Sequence, residues 1–368
     1  MATGRRIGVL VTAGMLAAAV LSGCTTAPST AETHAHAGTR SHTDMPPSSG
    51  RGTSMAAVAD ESVPSTGCGT GASAAPGQTP RTDPTPQPGQ AVTDTIRSGG
   101  EKRSYVLHLP DDYRNDAPTP LILAFHARGG DGAGMAKYTG FSASDAVVAY
   151  PNGLSSQGGR SWESAPYASG TNDVAFVSDL ITHLQSTLCI DPDRIYAAGK
   201  SNGGGFTALL ACTLPHRIAA FGIVSGAFYE TDSARCTSRT PSPIVDFHGT
   251  ADPVIHYTGG TSHGTRYQGI SAWLAGRAVV DGCSSDPQAG PLSAQLGDDV
   301  TRQAWTDCQG RGALVHYRVD GGGHTWPGAA SASGPGKTTQ TISATSIMLD
   351  FFASHPLQLS SNGQPSTP

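Results

Sequence analysis

Charged side chains are scarce in this chain: Asp, Glu, Lys and Arg make up 14% of its 368 residues, against roughly 25% in an average soluble protein. The formal net charge of −5 supplies no basic surface, which argues against nucleic acid as a partner. No two cysteines have the C-x-x-C spacing, which argues against a zinc knuckle. Glycine and proline are abundant instead, with 47 and 26 residues, and they indicate a protein rich in turns, long tails or both.

The first 24 residues have the layout of an export signal. A positive start, MATGRR, precedes an apolar stretch over 7–21 that is short for a membrane span. The sequence LSGC then ends at Cys24 and resembles a bacterial lipobox, in which the cysteine is lipidated; an ordinary secretory signal is the alternative. We expect an exported cell-surface protein that meets the membrane only through this lipid anchor, or that is shed from it.

The composition divides the rest of the chain into three parts. Residues 25–90 are dominated by Ser, Thr, Pro, Gly and Ala, and such a segment buries too little apolar surface to fold alone. It is predicted to be a disordered tether. A folded domain is predicted over 91–357, and a disordered tail over 358–368.

Export makes the remaining cysteines informative, because disulfides form in oxidising compartments. Six cysteines follow the lipobox, and an even number favours disulfides even though six allow 15 pairings. They are Cys68, Cys189, Cys212, Cys236, Cys283 and Cys308. Closeness in sequence favours a bond between the last two and another between the third and the fourth. By elimination the first would pair with the second and tie the start of the domain to its middle.

Strands and helices alternate from Glu101 onward. Apolar runs such as PLILAFHA and AVVAYPNG are typical of buried parallel strands. NDVAFVSDLITHLQSTL has a helical period, with Asn172 or Asp173 as the N-cap. The same alternation continues through RIYAAG, SPIVDFHG and ALVHYRVD to a last helix in SATSIMLDFFASH. It predicts an α/β fold, a mostly parallel central sheet with helices on both faces.

Ser201 lies in AAGKSNGGGF, between the predicted strand RIYAA and a helix that begins near Asn202. A G-x-S-x-G sequence in a strand–turn–helix is the setting of a nucleophile elbow. The small residues Gly199 and Gly203 let the chain turn sharply there and let helix and strand approach closely. The alternative is an ordinary turn serine in a glycine-rich segment. We predict that Ser201 is a nucleophile.

A serine nucleophile needs a base, and the base needs an orienting carboxylate. In this strand–helix arrangement the chain order is serine, acid, histidine. Asp252 in DFHGTADPV and His324 in VDGGGHTWPG follow Ser201 in that order, and each comes after a predicted strand. Asp320 is the best substitute for Asp252, but it precedes His324 too closely to come from a separate strand. We predict a triad of Ser201, Asp252 and His324.

Two backbone N–H groups are predicted to stabilise the oxyanion of such a site. One is that of Asn202, directly after the serine; the other comes from the glycine loop of LILAFHARGGDG, at Ala127 or, as we prefer, Arg128. HARGG as a simple turn is the alternative. Trp162 and Trp326 are predicted to stack on the substrate, and the alternative is that each is buried and supports its loop.

Several motifs between about Cys68 and Pro356 together resemble one group of secreted esterases, which contains feruloyl esterases, acetylxylan-type carbohydrate esterases and polyhydroxybutyrate depolymerase-like lipoproteins. They are HARGG, YPNG, Trp162, NDVAFV, CIDPDRIYAAGKSNGGGF, HGTADPV, GGGHTWPG and DFFASHP. The resemblance implies an α/β-hydrolase fold and ester hydrolysis through an acyl-enzyme. It also implies the same nucleophile, acid and base, with Arg128 at the oxyanion hole.

Two positions depart from the pattern of that group. Ala127 replaces the tryptophan of the H-W-R-G-G loop of fungal feruloyl esterases, and Lys200 stands where members often carry a small apolar residue before the nucleophile. The first change puts a substrate contact at that place in doubt. The second places a charge beside the predicted nucleophile, where it either perturbs the turn or points to solvent.

We expect a monomeric, exported serine ester hydrolase that needs no metal or organic cofactor and acts on feruloyl or acetyl esters of plant polysaccharide. A polyester depolymerase acting on hydroxyalkanoate chains ranks second, because no separate polymer-binding module is recognisable after Pro356. A non-catalytic binding lipoprotein of the same fold would not need the three triad residues together. An acyltransferase would be distinguished by an acceptor alcohol that outcompetes water.

Overall fold

The computed structural model describes residues 58, 60–69 and 86–358, apart from 157, 234, 237 and 285–291. The predicted export signal with Cys24, most of the predicted tether and nearly all of the predicted tail lie outside these residues. None of the helices in the described part is long and apolar enough to cross a membrane.

The predicted strands and helices occur in the predicted order. The structure adds elements that were not predicted, among them a helix at Gly132–Thr139 and strands at Ala91–Ser98, Leu292–Leu296 and Val300–Ala304. The strands are β1 (Ala91–Ser98), β2 (Glu101–His108), β3 (Thr119–Phe125), β4 (Val147–Pro151), β5 (Leu154–Ser156), β6 (Gly159–Ser161), β7 (Ile190–Lys200), β8 (Ala220–Val224), β9 (Pro243–Gly249), β10 (Gly260–Ser262), β11 (Thr265–Tyr267), β12 (Leu292–Leu296), β13 (Val300–Ala304) and β14 (Ala313–Val319). The helices are α1 (Gly132–Thr139), α2 (Asp173–Thr187), α3 (Asn202–Thr213), α4 (Glu230–Ser233), α5 (Ile270–Val280) and α6 (Ala344–Ala353), with a 3-10 turn at Phe141–Ala143.

A ten-stranded sheet runs through the domain in the order β1-β2-β4-β3-β7-β8-β9-β14-β13-β12. The strands from β4 to β14 in that order are parallel to one another. Antiparallel pairs extend the sheet at both edges, β1 and β2 on one side and β13 and β12 on the other. The predicted mostly parallel sheet is confirmed.

Side chains of β3 alternate between two apolar cores, because successive residues of a strand point to opposite faces. Leu121, Leu123 and Phe125 belong to the core that also receives α2, α3 and α5. Ile122 and Ala124 belong to the core that receives α1 and α6. A strand covered by helices on both faces requires a continuous apolar run, which is why PLILAFHA has no polar alternation.

The N-terminus of α2 is capped by Asn172, whose side-chain oxygen accepts a hydrogen bond from the N–H of Ala175 at 2.9 Å. Asp173, the other predicted cap, is buried instead and pairs with the guanidinium of Arg103 at 2.7 Å. Burial of this carboxylate needs such a partner. Asn172 therefore caps the helix, and Asp173 links the helix to β2.

Strand β7 passes into α3 through a sharp turn at Ser201, whose backbone has φ 57° and ψ −119°. Such positive φ values are uncommon and strained for a residue other than glycine. The helix begins so close to the strands that a Cβ on Gly199 would collide with the carbonyl of Gly203. A Cβ on Gly203 would in turn collide with the carbonyl oxygens of Phe125 and His126. Close approach, as the sequence predicts, requires glycine at both places.

Three disulfides link the cysteines in the expected pairs: Cys68–Cys189, Cys212–Cys236 and Cys283–Cys308. The first of them changes one predicted boundary. Residues 60–69 fall in the predicted tether, but they pack on the domain: the hydroxyl of Ser65 lies 2.7 Å from the carbonyl oxygens of both Gln185 and Leu188. The folded unit therefore includes this segment, because the disulfide holds it beside the end of α2.

Replacing both Cys68 and Cys189 by serine should lower the free energy of unfolding by about 2–5 kcal/mol, because a released cross-link adds entropy to the unfolded chain. The cysteines are 121 positions apart. The double serine variant of Cys283 and Cys308, 25 positions apart, is the control and should lose about 1 kcal/mol less. Urea denaturation measures both. Equal stability of the Cys68/Cys189 variant and the parent would contradict the structural role of this bond.

Gly203→Ala should destabilise the protein by about 1–3 kcal/mol, because the added methyl group would collide with two backbone carbonyl oxygens. Gly276→Ala is the matched control: a Cβ there meets no atom within 4 Å, and alanine favours a helix over glycine by about 1 kcal/mol. Thermal unfolding of the two variants should shift in opposite directions. A Gly203→Ala variant as stable as the parent would show that the turn has more space than the structure gives it.

Candidate active site

The three predicted triad residues lie at one edge of the sheet. Ser201 directly follows β7, while Asp252 and His324 lie in the loops after β9 and β14. These strands are parallel and separated only by β8 within their part of the sheet. Their carboxyl ends therefore share an edge, which is where open α/β sheets place their ligands.

Asp252 and His324 form a direct hydrogen bond, with 2.7 Å between Oδ2 and Nδ1. The carboxylate can only accept, so Nδ1 of the imidazole donates. The other carboxylate oxygen accepts the N–H groups of Val254 and Ile255, each at 2.8 Å. Burial raises the pKa of Asp252, but its hydrogen bond to His324 and the nearby histidines outweigh that effect and hold the pKa below its ordinary value. The acid is thus an oriented carboxylate.

The imidazole of His324 keeps its Nε2 available as a proton acceptor, because Nδ1 carries the proton donated to Asp252. Burial lowers the pKa of His324, against the opposing effect of the hydrogen bond to Asp252. The N–H of His324 donates to the carbonyl of Pro335 at 2.8 Å. The ring is therefore neutral near neutral pH and fixed in its loop, as a general base must be.

Ser201 is held by its backbone. Its N–H donates to the carbonyl of Val224 at 2.9 Å, and its carbonyl accepts the N–H groups of Gly205 at 2.9 Å and Ala227 at 3.2 Å. The residue occupies the N-cap position of α3. Unpaired N–H groups and the helix dipole make this end of a helix favourable for a developing negative charge.

The two segments predicted to supply the oxyanion donors lie against each other. Asn202 begins α3, and the next residue of that helix, Gly203, abuts the carbonyl groups of Phe125 and His126. The loop that continues from His126 to Arg128 therefore starts beside the first turn of α3. This arrangement agrees with the predicted pair of donors, Asn202 and Arg128, whose role stays a prediction.

Trp162 is fully buried and braces this region. Its indole N–H donates to the carbonyl of His126 at 2.9 Å, and its ring stacks on Phe206. Its backbone N–H donates to the side chain of Asn202 at 2.8 Å. The brace thereby connects the predicted oxyanion loop with the first residue of α3.

Trp326 is 1% exposed and donates its indole N–H to the hydroxyl of Thr345 at 3.0 Å. Its ring packs edge-on against Phe141. Neither Trp326 nor Trp162 has a ring face open to a substrate in this structure. The predicted stacking role is therefore corrected to the alternative: each indole supports the loop that carries it.

His126 is a structural histidine that the sequence reading missed. Its Nδ1 donates to the carbonyl of Ala127 at 2.8 Å, and its Nε2 accepts the N–H of Gly153 at 3.0 Å. Burial lowers the pKa of His126 to about 4, so the ring is neutral and can do both. A histidine at the end of an apolar strand, as in LILAFHA, is the sequence signal that could have indicated this structural role. It fixes the loop on which Arg128 lies.

A second histidine, His248, lies beside the predicted acid, Asp252. Its Nε2 is 3.4 Å from Oδ2 of Asp252 and 2.8 Å from the carbonyl of Ile255, to which it donates. Burial lowers its pKa. Asp246, on the same face of β9, pairs with His316 at 2.7 Å. Over the described residues, no three or more His, Cys, Asp or Glu side chains are grouped so that they could hold a metal ion.

A cluster of tyrosine and aliphatic side chains, called the wall below, borders the site. It consists of Ala165, Ala227, Tyr229, Ile255 and Tyr267, with the half-buried Tyr167 packed against them. Ala227 is hydrogen-bonded to Ser201, and Ile255 to Asp252. The wall therefore adjoins both the predicted nucleophile and the predicted acid.

Arg128 reaches this wall with its side chain. Its guanidinium carbon lies 4.3 Å from the ring centroid of Tyr167, a cation–π contact. His263, at the turn between β10 and β11, packs edge-on against the same ring, and its Nε2 lies 2.8 Å from a guanidinium nitrogen of Arg128. No local pattern in the sequence signals this contact between three distant segments.

Comparison with known proteins supports an ester-hydrolysing group. A family model described as "Esterase PHB depolymerase" matches residues 126–279. Feruloyl esterase D of Neurospora crassa is 29% identical over 279 residues, which cover 71% of this chain and 82% of that protein. Feruloyl esterase B of Piromyces equi is 28% identical over 233 residues, or 60% of this chain, but only 42% of that longer protein is spanned.

Among solved structures, the acetyl xylan esterase from Aspergillus awamori superposes with a TM-score of 0.52 at 15% identity, over 71% of this chain and 99% of that one. This likeness concerns the fold, a mostly parallel sheet with helices on both faces. The family match and the relatives make the chain similar to ester-hydrolysing enzymes, and the structural likeness shows a fold of the α/β-hydrolase type.

Proposed function

We propose that the protein hydrolyses carboxylic esters through an acyl-enzyme formed on Ser201, with His324 as base and Asp252 as the orienting acid. The observation that carries the proposal is the 2.7 Å bond between Asp252 and His324, at the sheet edge where Ser201 occupies a strained strand–helix turn. A serine, a neutral imidazole and a buried carboxylate in this order are the parts that acyl transfer needs.

The reaction begins when Nε2 of His324 takes the proton of Ser201 while the serine Oγ attacks the ester carbonyl carbon. Asp252 stabilises the imidazolium that forms. The N–H groups of Asn202 and Arg128 stabilise the tetrahedral oxyanion. The alcohol leaves with the proton from His324, and water then repeats the attack on the acyl-enzyme to release the acid.

For the substrate, we favour feruloyl or acetyl esters of plant polysaccharide. Relatives named feruloyl esterase support the acyl group, and Tyr167, the half-buried member of the wall, is the aromatic side chain there that a planar aromatic acid could contact. A polyester depolymerase is the second candidate, because the matching family model carries that description.

We also propose that the protein acts outside the cytoplasm as a monomer. Three disulfides support an oxidising compartment, in agreement with the predicted export signal. Lipidation of Cys24, which lies outside the described residues, stays a prediction.

The test is hydrolysis of methyl ferulate, p-nitrophenyl acetate, acetylated xylan and a hydroxybutyrate oligomer by the parent protein and by Ser201→Ala. The variant should lose activity by a factor on the order of 10⁴ or more, because the nucleophile is gone. Ser225→Ala is the matched control: this serine follows the neighbouring strand β8, also has a positive φ, and is buried. The activity of Ser225→Ala should stay within a few-fold of that of the parent.

Retained activity in Ser201→Ala, with the parent's thermal stability, would contradict the proposed nucleophile. The panel also ranks the substrates. Preference for methyl ferulate or acetylated xylan supports the polysaccharide esterase, whereas fastest cleavage of the hydroxybutyrate oligomer would replace it by the depolymerase.

A further inference from the structure

Lys200 is a buried lysine directly beside the predicted nucleophile. It is the last residue of β7, and only 3% of it is exposed. Lysine is almost never buried this deeply without a paired group. Among the described residues, none lies within hydrogen-bond or ion-pair distance of its ammonium. A charge so placed costs stability, so its position calls for a functional reason.

The ammonium lies in the crevice between the end of β7 and the loop of the base. A Cβ on Gly334 would lie 3.0 Å from Nζ of Lys200 and would collide with the carbonyl oxygen of His324. The N–H of His324 is in turn bonded to Pro335. Nζ therefore lies against the segment that packs on the backbone of His324, with solvent excluded from most of the side chain.

Three titratable groups face His324 from the elements packed around it. Asp252, in the loop after β9, favours the protonated ring, whereas Lys200 at the end of β7 and His248 within β9 disfavour it. The net result, with burial as the largest cause, is a pKa of His324 below its ordinary value. Burial also lowers the pKa of Lys200 to about 8, against the attraction of Asp252, so the lysine is charged at lower pH.

His248 is a buried group as well. Burial is the largest cause that lowers its pKa, while Asp246 and Asp252 oppose this and His316 adds to it. Of the two groups that disfavour the protonated ring of His324, Lys200 has the larger effect.

We propose that Lys200 is a positioning residue that acts through His324: its buried ammonium disfavours protonation of His324 and so extends ester hydrolysis to lower pH. This inference rests on the proposed role of His324 as base. The sign follows from Coulomb's law, since a positive charge near the ring destabilises an imidazolium more than a neutral imidazole. Activity that needs the neutral base is lost as pH falls through the pKa of His324, and the ammonium moves that loss downward.

The test measures kcat/KM on one soluble ester from pH 5 to pH 8, the range in which histidines titrate. The proteins are the parent, Lys200→Met, Lys200→Gln and the control Lys137→Met, which removes an exposed lysine from α1. The compared quantity is kcat/KM at pH 5 divided by kcat/KM at pH 8. In both Lys200 variants this ratio should be roughly three- to tenfold lower than in the parent, because one close charge shifts a pKa by on the order of one unit. The control should keep the parent's ratio.

NMR titration of the ring protons of His324 is the second measurement, and its first part, made on the parent protein, needs no variant. The midpoint should lie below about 6.5, the ordinary value for histidine, and should rise in Lys200→Met. A midpoint above that value in the parent overturns the proposal. So does an unchanged activity ratio in both Lys200 variants, or a loss that is equal at every pH, which would make Lys200 only structural.

Failure of this inference is distinguishable from failure of the proposed function. If Ser201→Ala is inactive while the Lys200 variants keep the parent's pH profile, the triad stands and the charge effect is overturned. If Ser201→Ala stays active, the triad is overturned, and the shift of the His324 midpoint between the parent and Lys200→Met then decides whether the ammonium acts on the ring.

Discussion

The close approach of α3 to the ends of β3 and β7 is the constraint on which the site depends. Gly203 lies against the carbonyls that end β3, and Gly199 lies against Gly203 itself. A helix that starts so near the sheet forces the connecting residue, Ser201, into a positive φ. Strain of this kind costs on the order of 1–3 kcal/mol and persists only where the surroundings hold it. The backbone hydrogen bonds of Ser201 to Val224, Gly205 and Ala227 supply that support.

The same approach has a chemical consequence. It places the N-terminus of α3 at the sheet edge, next to Ser201, and brings the loop after β3 beside it. A negative charge that develops near Ser201 would meet donors that are already oriented, and preorganised donors of this kind contribute much of the rate enhancement in acyl transfer. The buried hydrogen bonds of His126 and Trp162 keep the loop in place without taking part in the reaction.

The second feature of the site is the effect of nearby buried charges on the protonation of His324. Asp252, His324 and Lys200 lie close together in a region with little solvent, where each charge acts more strongly than in water. The carboxylate favours a protonated base and the ammonium opposes it. In our account, the balance keeps the base neutral at rest while Asp252 still stabilises the imidazolium formed during attack.

Local sequence patterns predicted the features that short stretches of sequence determine. Continuous apolar runs indicated the parallel strands, and chain order with loop position selected Ser201, Asp252 and His324. The roles of the two tryptophans depend on distant partners, such as the carbonyl of His126 for Trp162, and residue type alone does not distinguish a brace from a substrate contact. Strand β12, mostly exposed, lacks the apolar signal of a buried strand.

Two long-range features also escaped the local patterns. The segment 60–69 has the composition of a tether and joins the domain only because a disulfide anchors it. The contact of His263 with Arg128 joins loops more than a hundred positions apart. Both depend on the assembled fold, where partners far apart in the sequence become neighbours.

The most direct test of the central claim is covalent labelling with a fluorophosphonate, followed by peptide mapping in the mass spectrometer. An activated serine nucleophile attacks phosphorus, displaces fluoride and keeps the phosphonyl group. We expect one label per molecule, located on Ser201, and much slower labelling in His324→Ala. An enzymatically active preparation that stays unlabelled at Ser201, or that is labelled on another residue, would contradict Ser201 as the nucleophile.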